Sequence, residues 1–284
     1  KTVHPSGFNA LTRDVIQYME KFLTWDDRKS LLFVSKRIHG LTINRFIAHS
    51  YWEVNTFERL NEITNAKKND WKYLIKKLKI CINLAIYGLP NRITNLKFNN
   101  SFNHFVDLSQ NIKLEYLQFG NAFNQKITLT SNDKLTVLYL GRDFNQKIDL
   151  SNNDILTVLY LGRDFNQDID LSKNVNLERL TCGFKFNQKL DLSNNVNLLR
   201  LELENGVDQK LNLSTNANLE YLSIRGDFDQ NLDLSNNVRL IGLRIDGNFS
   251  RNLDLSNNID LRYMKITTTH THFIDLPTLR LQLN

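Results

Sequence analysis

The sequence predicts a mixed α and β protein, in which a small N-terminal helical module precedes a parallel-β solenoid of 21-residue turns. Three observations carry this expectation. Phe102, Phe123, Phe144, Phe165, Phe186, Val207, Phe228 and Phe249 recur every 21 residues without insertion, and a ninth, degraded unit begins at His270. Each marker is accompanied by two short triplets in which apolar residues alternate with polar ones. Residues 136–146 and 157–167 are the same eleven residues, TVLYLGRDFNQ. A fixed period of this length marks a stacked-repeat architecture, because one turn cannot bury its apolar face alone and must share it with its neighbours.

The first triplet follows the marker by four residues and reads VDL at 106–108, ITL at 127–129 and IDL at 148–150, 169–171 and 274–276, with LDL or LNL in the other turns. A leucine column follows (Leu114, Leu135, Leu156, Leu177, Leu198, Leu219, Leu240, Leu261), and three residues later comes the second triplet, from Leu117-x-Phe119 to Met264-x-Ile266. Period-two alternation turns the first and third residues of a triplet to one face. Both triplets are therefore expected to be short strands, stacking turn on turn into two parallel layers with a column of phenylalanine rings between them. The asparagine column (Asn111, Asn132, Asn153, Asn174, Asn195, Asn216, Asn237, Asn258) falls at a turn, where each amide is expected to satisfy backbone groups of the next coil. The aspartates of the first triplet (Asp149, Asp170, Asp191, Asp233, Asp254, Asp275) are read as the solvent face of a strand, their repulsion relieved by water and by Lys126, Lys147, Lys189 and Lys210.

Core columns must repeat, whereas the residues between them are free to vary, so variation marks the surface that recognises something. Along the second triplet the outward positions read Gln118, Tyr139, Tyr160, Thr181, Glu202, Ser223, Arg244 and Lys265, beside Tyr116, Val137, Val158, Arg179, Arg200, Tyr221, Gly242 and Tyr263. Exposed tyrosine and arginine side by side are favoured in protein interfaces. The target-binding candidates are accordingly Tyr116, Tyr139, Tyr160, Arg179, Arg200, Glu202, Tyr221 and Arg244.

Ahead of the repeats, residues 11–41 divide into three short helices, with Thr12 and Thr24 as caps, Asp26 and Asp27 in a first turn, and apolar positions at Val15, Ile16, Met19, Phe22 and Leu23. The stretch 65–79 places Trp71, Leu74, Ile75 and Leu78 at helical spacing opposite Lys72, Lys76, Lys77 and Lys79, which reads as an amphipathic helix with a solvated basic face. The expected domains are a helical module over 1–48, a helical linker and end cap over 49–88, and a solenoid of about nine turns over 89–284.

Three resemblances follow from these residues. The spacing of Leu114, Leu117 and Phe119 resembles leucine-rich repeats. The FNQ markers and the unit LPNRITNLKFNNSFNHFVDL at 89–108 resemble the FNIP repeats of amoebae and of the large DNA viruses that infect them, although each turn here is one residue shorter and the proline after leucine survives only at 89–90 and 276–277. The N-terminal stretch resembles an F-box through Leu11, Asp14, Met19, Leu23, Asp27, Leu31, Val34, Ser35, Lys36, Arg37 and Leu41, with Thr12 in place of the usual proline and Arg28 and Lys29 in place of apolar residues. An F-box implies docking on a Skp-type adaptor of a cullin-RING ubiquitin ligase through Leu11, Ile16, Met19, Leu23, Leu31 and Val34. The solenoid would then be the substrate receptor that holds an unidentified target protein. The alternative is a binding or structural solenoid with no ubiquitin link, in which residues 1–88 serve only as an end cap.

Composition narrows the classes further. With 284 residues and 41% hydrophobic content the chain can bury a sizeable core. It has no apolar run of membrane-spanning length and no secretory leader pattern, so a cytoplasmic location is expected, that of the host if the source is viral. Cys81 and Cys182 form neither a zinc pair nor a disulfide framework. Positive charge is local: residues 1–95 hold 16 Lys and Arg against 8 Asp and Glu, and residues 96–284 hold 20 against 22. Nucleic-acid binding through 65–79 is the weakest of three readings, the other two being the substrate receptor and the plain solenoid. His270 and His272 lack a third ligand within sequence reach, and no phosphate-cradling glycine loop, catalytic triad order or activated thiol is present. No cofactor, metal or enzymatic activity is expected.

Overall fold

A computed structural model describes residues 51–67, 75–205, 210–267 and 274–275. The helical module expected over 1–48, the residues of the F-box resemblance, Val207, His270 and His272 lie outside the described residues.

The second triplet of every turn is a strand. Eleven strands lie side by side in one parallel sheet: β1 (Tyr51–Val54), β2 (Lys77–Ile80), β3 (Asn95–Phe98), β4 (Tyr116–Gln118), β5 (Val137–Tyr139), β6 (Val158–Tyr160), β7 (Arg179–Cys182), β8 (Arg200–Leu203), β9 (Tyr221–Arg225), β10 (Gly242–Asp246) and β12 (Tyr263–Thr267). Equivalent residues pair across the ladder: Leu117 lies opposite Leu138, Leu138 opposite Leu159, and Leu159 opposite Leu180. Each of these leucines is buried. A slip of one residue would turn the whole column into water, so the alternation itself fixes the register.

Inside, the phenylalanine column forms the expected stack. The rings of Phe102, Phe123, Phe144, Phe165 and Phe186 succeed one another with centroids 6.0–6.2 Å apart and nearly parallel planes. Adjacent strands of a sheet lie only about 4.8 Å apart. The rings of successive turns are thus more widely spaced than paired strands.

The first triplet differs from the sequence reading. It alternates as expected, burying Leu108, Leu129, Leu150, Leu171 and Leu192. It is nevertheless not a second ladder: pairing there is confined to an Ile86–Val106 bridge and to β11 (Leu253–Asp254) with β13 (Ile274–Asp275). Between the other turns of this wall, side chains make the link, as from Asn152 Nδ2 to Thr130 O at 3.0 Å. The aspartate in the middle of the triplet also turns the chain out of line, since the Oδ1 atoms of Asp149, Asp170 and Asp191 accept from the backbone N–H of the serine two residues on, at 2.9–3.0 Å.

Side-chain amides take over the role of the missing ladder. The asparagine column is buried, and each Nδ2 donates to the backbone carbonyl of its counterpart in the preceding turn, as from Asn153 to Asn132 and from Asn174 to Asn153 at 2.8 Å. The amides thus reach back to the previous coil, not forward to the next. A second ladder explains the FNQ signature. Asn124 Oδ1 accepts from both Asn145 N, at 2.9 Å, and Gln146 Nε2, at 3.0 Å, and Asn145 does the same for Asn166 and Gln167 one turn later.

The N-terminal cap also differs from its sequence reading. Helix α1 (Phe57–Thr64) is capped by Thr56, whose hydroxyl accepts from Arg59 N at 3.2 Å, and it buries Leu60 and Ile63. Residues 77–80 are not the end of a basic helix; they are strand β2, pairing with β1 and β3. KLKI alternates strictly, and so short a run satisfies both periods; the available edge of β1 and β3 decides between them. Leu78 and Ile80 enter the core while Lys77 and Lys79 stay on the sheet face. Trp71, Lys72 and Leu74 lie outside the described residues. The cap is tied to the repeats by Arg92, whose Nη2 donates to Ile63 O at 2.7 Å.

Candidate protein-interaction face

The outward residues of the second triplet meet on the outer face of the sheet. Tyr116, Val137, Val158, Arg179, Arg200, Tyr221 and Gly242 form one row in register, and Gln118, Tyr139, Tyr160, Thr181, Glu202, Ser223 and Arg244 form the next. The sequence-predicted candidates therefore share one surface, although they do not form one cluster.

The central part is aromatic. The rings of Tyr116 and Tyr139 lie 5.9 Å apart and those of Tyr139 and Tyr160 6.0 Å apart, tilted by 40° and 33°. The spacing matches that of the inner phenylalanines, but here the rings are tilted, a geometry that aromatic pairs favour as well as offset stacking. Val137 and Val158 complete a half-buried apolar surface beside them. Tyr116 Oη donates to Gln118 Oε1 at 2.6 Å. Burial, with Tyr139 nearby, pushes the Tyr116 phenol up to about 12. Burial also raises Tyr160, with the charges of Glu204 and Glu202 adding to it. Both side chains are neutral donors at physiological pH.

Arg179 adjoins this surface, exposed and with no ion pair recorded among the described residues. Arg200 is committed: its guanidinium pairs with Glu202 and lies 4.2 Å from the Tyr221 ring centroid. Tyr221 in turn covers Gly242, where a Cβ would stand 2.6 Å from the ring. Arg244 belongs to a separate group, pairing with Asp246, which also receives Lys265 at 3.1 Å. The face thus runs from an aromatic centre to a charge-compensated C-terminal third.

A glycine column bounds the face and was missed in the sequence. Gly120, Gly141, Gly162 and Gly183 follow the second triplet at 21-residue intervals. A Cβ on Gly162 would lie 1.7 Å from Gly141 O, so the backbones of successive turns touch there. From β8 onward the column changes to Glu204, Arg225 and Asp246, the strands reach five residues in β9 and β10, and the turn shifts one residue to Gly226, at φ 77°. The signal was legible as a fourth periodic column within YLGRDFNQ.

The remaining polar groups are structural. The Asp carboxylates of the first triplet lie on the opposite wall; backbone N–H donation from the following serine, with help from its hydroxyl, holds Asp149, Asp170, Asp191 and Asp254 below the ordinary carboxylate value. Cys182 is buried among core residues, which raises its thiol far above the reactive range. Among the described residues, no group of three or more His, Cys, Asp or Glu is placed to hold a metal, and no helix is long and apolar enough to cross a membrane.

No protein family model and no curated protein matches the chain. Solved structures do. The chain is similar to the internalin InlF of Listeria monocytogenes at a TM-score of 0.57 and 15% identity, over 86% of this chain and 75% of that one. It is similar to the functional domain of InlJ from the same organism, which includes a cysteine ladder, at a TM-score of 0.50 and 21% identity, over 68% of this chain and 47% of that one. It is also similar to CroV588, described as a circular leucine-rich-repeat protein, at a TM-score of 0.51 and 28% identity, over 64% of this chain and 30% of that one. This chain therefore spans under half of the InlJ domain and under a third of CroV588. Together with the ladder geometry, these likenesses give the chain its fold, a leucine-rich-repeat, internalin-like β-solenoid.

Proposed function

We propose that this protein is a recognition solenoid that acts by binding another protein, and that the partner packs on the outward sheet face over β4–β10. The observation that carries this is the run of half-buried, solvent-facing Tyr116, Tyr139 and Tyr160 with Val137 and Val158 on three consecutive strands, next to the unpaired Arg179. Aromatic surface beside an arginine is the composition of interface hot spots, and a rigid sheet presents it with little ordering cost. Arg200, Glu202, Tyr221 and Arg244 extend the contact as its polar rim. Capture by the full chain should be lost with Tyr139→Ser and Tyr160→Ser while the melting temperature stays within a few degrees of wild type. Capture that survives the double change places the partner elsewhere.

A narrower reading adds a ubiquitin-ligase role. The resemblance of residues 11–41 to an F-box supports it, with 1–48 as the adaptor-docking module, 49–88 as the end cap and 89–284 as the receptor. On that reading, Leu11, Ile16, Met19, Leu23, Leu31 and Val34 contact a Skp-type adaptor. Leu11→Ala with Ile16→Ala should then abolish adaptor capture and leave the far-ultraviolet circular dichroism unchanged; adaptor binding retained by the variant overturns the F-box docking residues, and failure of the wild-type chain to capture the adaptor removes the ubiquitin link and leaves the plain recognition solenoid.

A further inference from the structure

We infer that the N-terminal end of the outward sheet face is a docking cradle for an acidic segment of the partner protein, whose carboxylates are received by Lys77 and Lys97 beside Tyr51. The inference rests on the reading of the sheet face as the recognition surface and adds the chemistry of what binds there.

Register places Glu53, Lys79 and Lys97 side by side on β1, β2 and β3, with Tyr51, Lys77 and Asn95 in the adjoining row. These are the same two rows that carry Tyr139 and Val137 further along. Lys79 is neutralised by Glu53 at 2.7 Å. Lys77 and Lys97 are half-buried and have no carboxylate partner recorded among the described residues. Both gather on aromatic surface: Lys97 Nζ lies 4.5 Å from the Tyr51 ring centroid and 5.2 Å from that of Tyr116, and Lys77 Nζ lies 5.8 Å from Tyr51.

Lys79 and Lys97 are register partners, and like charges directly opposite on neighbouring strands destabilise a sheet. Burial, followed by the charges of Lys79 and Lys77, lowers the Lys97 ammonium below its ordinary value. An incoming anion would relieve that repulsion. The rest of the face offers a contrast, because Arg200 pairs with Glu202, Arg225 with Glu204, and Arg244 and Lys265 with Asp246. Uncompensated positive charge thus stands on β2 and β3, immediately before the tyrosine centre, with Arg179 on its far side.

The arrangement suits a protein segment better than a nucleic acid. Two free ammonium groups followed by an apolar wall of Tyr116, Val137 and Val158 give no track for successive phosphates, on which nucleic-acid affinity depends. They do suit one or two carboxylates followed by an apolar anchor. The cradle and the Tyr139/Tyr160 centre are two to three strand spacings apart, about 10–15 Å, which an extended peptide covers in roughly three to five residues.

A random peptide library panned on the full chain and on its Lys77→Gln, Lys97→Gln variant tests this. Wild type should enrich Asp or Glu about three to five residues from an aromatic or leucine, and the variant should keep the apolar preference but lose the acidic one. The best peptide should weaken roughly tenfold when its acids become amides and should weaken with added salt, a comparison on wild type alone that does not depend on the variant folding. Apolar selection without acids on wild type overturns the cradle and leaves the sheet face standing, as does acidic selection that persists in the variant. Absence of any selection overturns the cradle and the sheet-face reading together. Binding of a single-stranded oligonucleotide that the variant loses, with no acidic peptides selected, overturns the cradle in favour of a nucleic acid.

Discussion

At the scale of single residues, this fold depends on positions where no other side chain fits. Gly162 is one, since a methyl group there would stand 1.7 Å from Gly141 O, a backbone atom that cannot move without separating two turns. Gly162→Ala should destabilise by more than about 2 kcal/mol in denaturant unfolding, whereas Gly88→Ala, with nothing within 4 Å of its added carbon, should change little. Asn174 is another: its amide supplies donors to Asn153 O at 2.8 Å and Leu150 O at 3.1 Å deep in the stack. Asn174→Ala should cost about 1–3 kcal/mol, the penalty of leaving buried carbonyls unpaired. The asparagine column was visible in the sequence, but its direction was not, because a one-dimensional repeat is symmetric with respect to which neighbour a side chain reaches.

At the scale of elements, the two triplets of each turn behave differently despite having the same alternation. Both bury their outer residues, yet only the second forms a continuous ladder. Sequence period reports which side chains face the core; it does not report which backbones pair between turns. Phe165 is fully buried and stacked 6.1 Å and 6.2 Å from its neighbours. Phe165→Ala should cost about 3–5 kcal/mol in a thermal or denaturant melt; an unchanged melt would put the core elsewhere. The first-triplet aspartates give their wall its own pH dependence. Their folded-state values lie below those of an unfolded chain, so they stabilise above about pH 4 and the contribution is lost as pH falls through the depressed values. The melting temperature should therefore be level from neutrality to about pH 5 and fall below about pH 4. Asp149→Asn with Asp170→Asn should flatten that fall, since Asn212 Oδ1 already accepts the equivalent bond from Ser214 N at 3.1 Å.

At the scale of the whole molecule, the repeat period, the inward columns and the outward rows were legible because each recurs often enough to be read against its neighbours. The basic stretch at 77–80 was misread as helix because it stands outside the period, where strand pairing with β1 and β3, not local pattern, decides its conformation. The outward candidates proved to occupy one face, but their division into an aromatic centre and an ion-paired rim depends on side-chain contacts that no spacing encodes. Arg179 stands at that division, exposed beside Val158 on the neighbouring strand and free of the pairing that ties Arg200 to Glu202. The most direct measurement of the central claim is partner capture by the full chain carrying Arg179→Glu, compared with the matched charge reversal on the opposite wall, Lys189→Glu, both exposed positions. Loss of capture with Arg179→Glu and retention with the opposite-wall change is the predicted result; retention with Arg179→Glu and loss with the opposite-wall change would contradict the outward sheet face as the recognition surface.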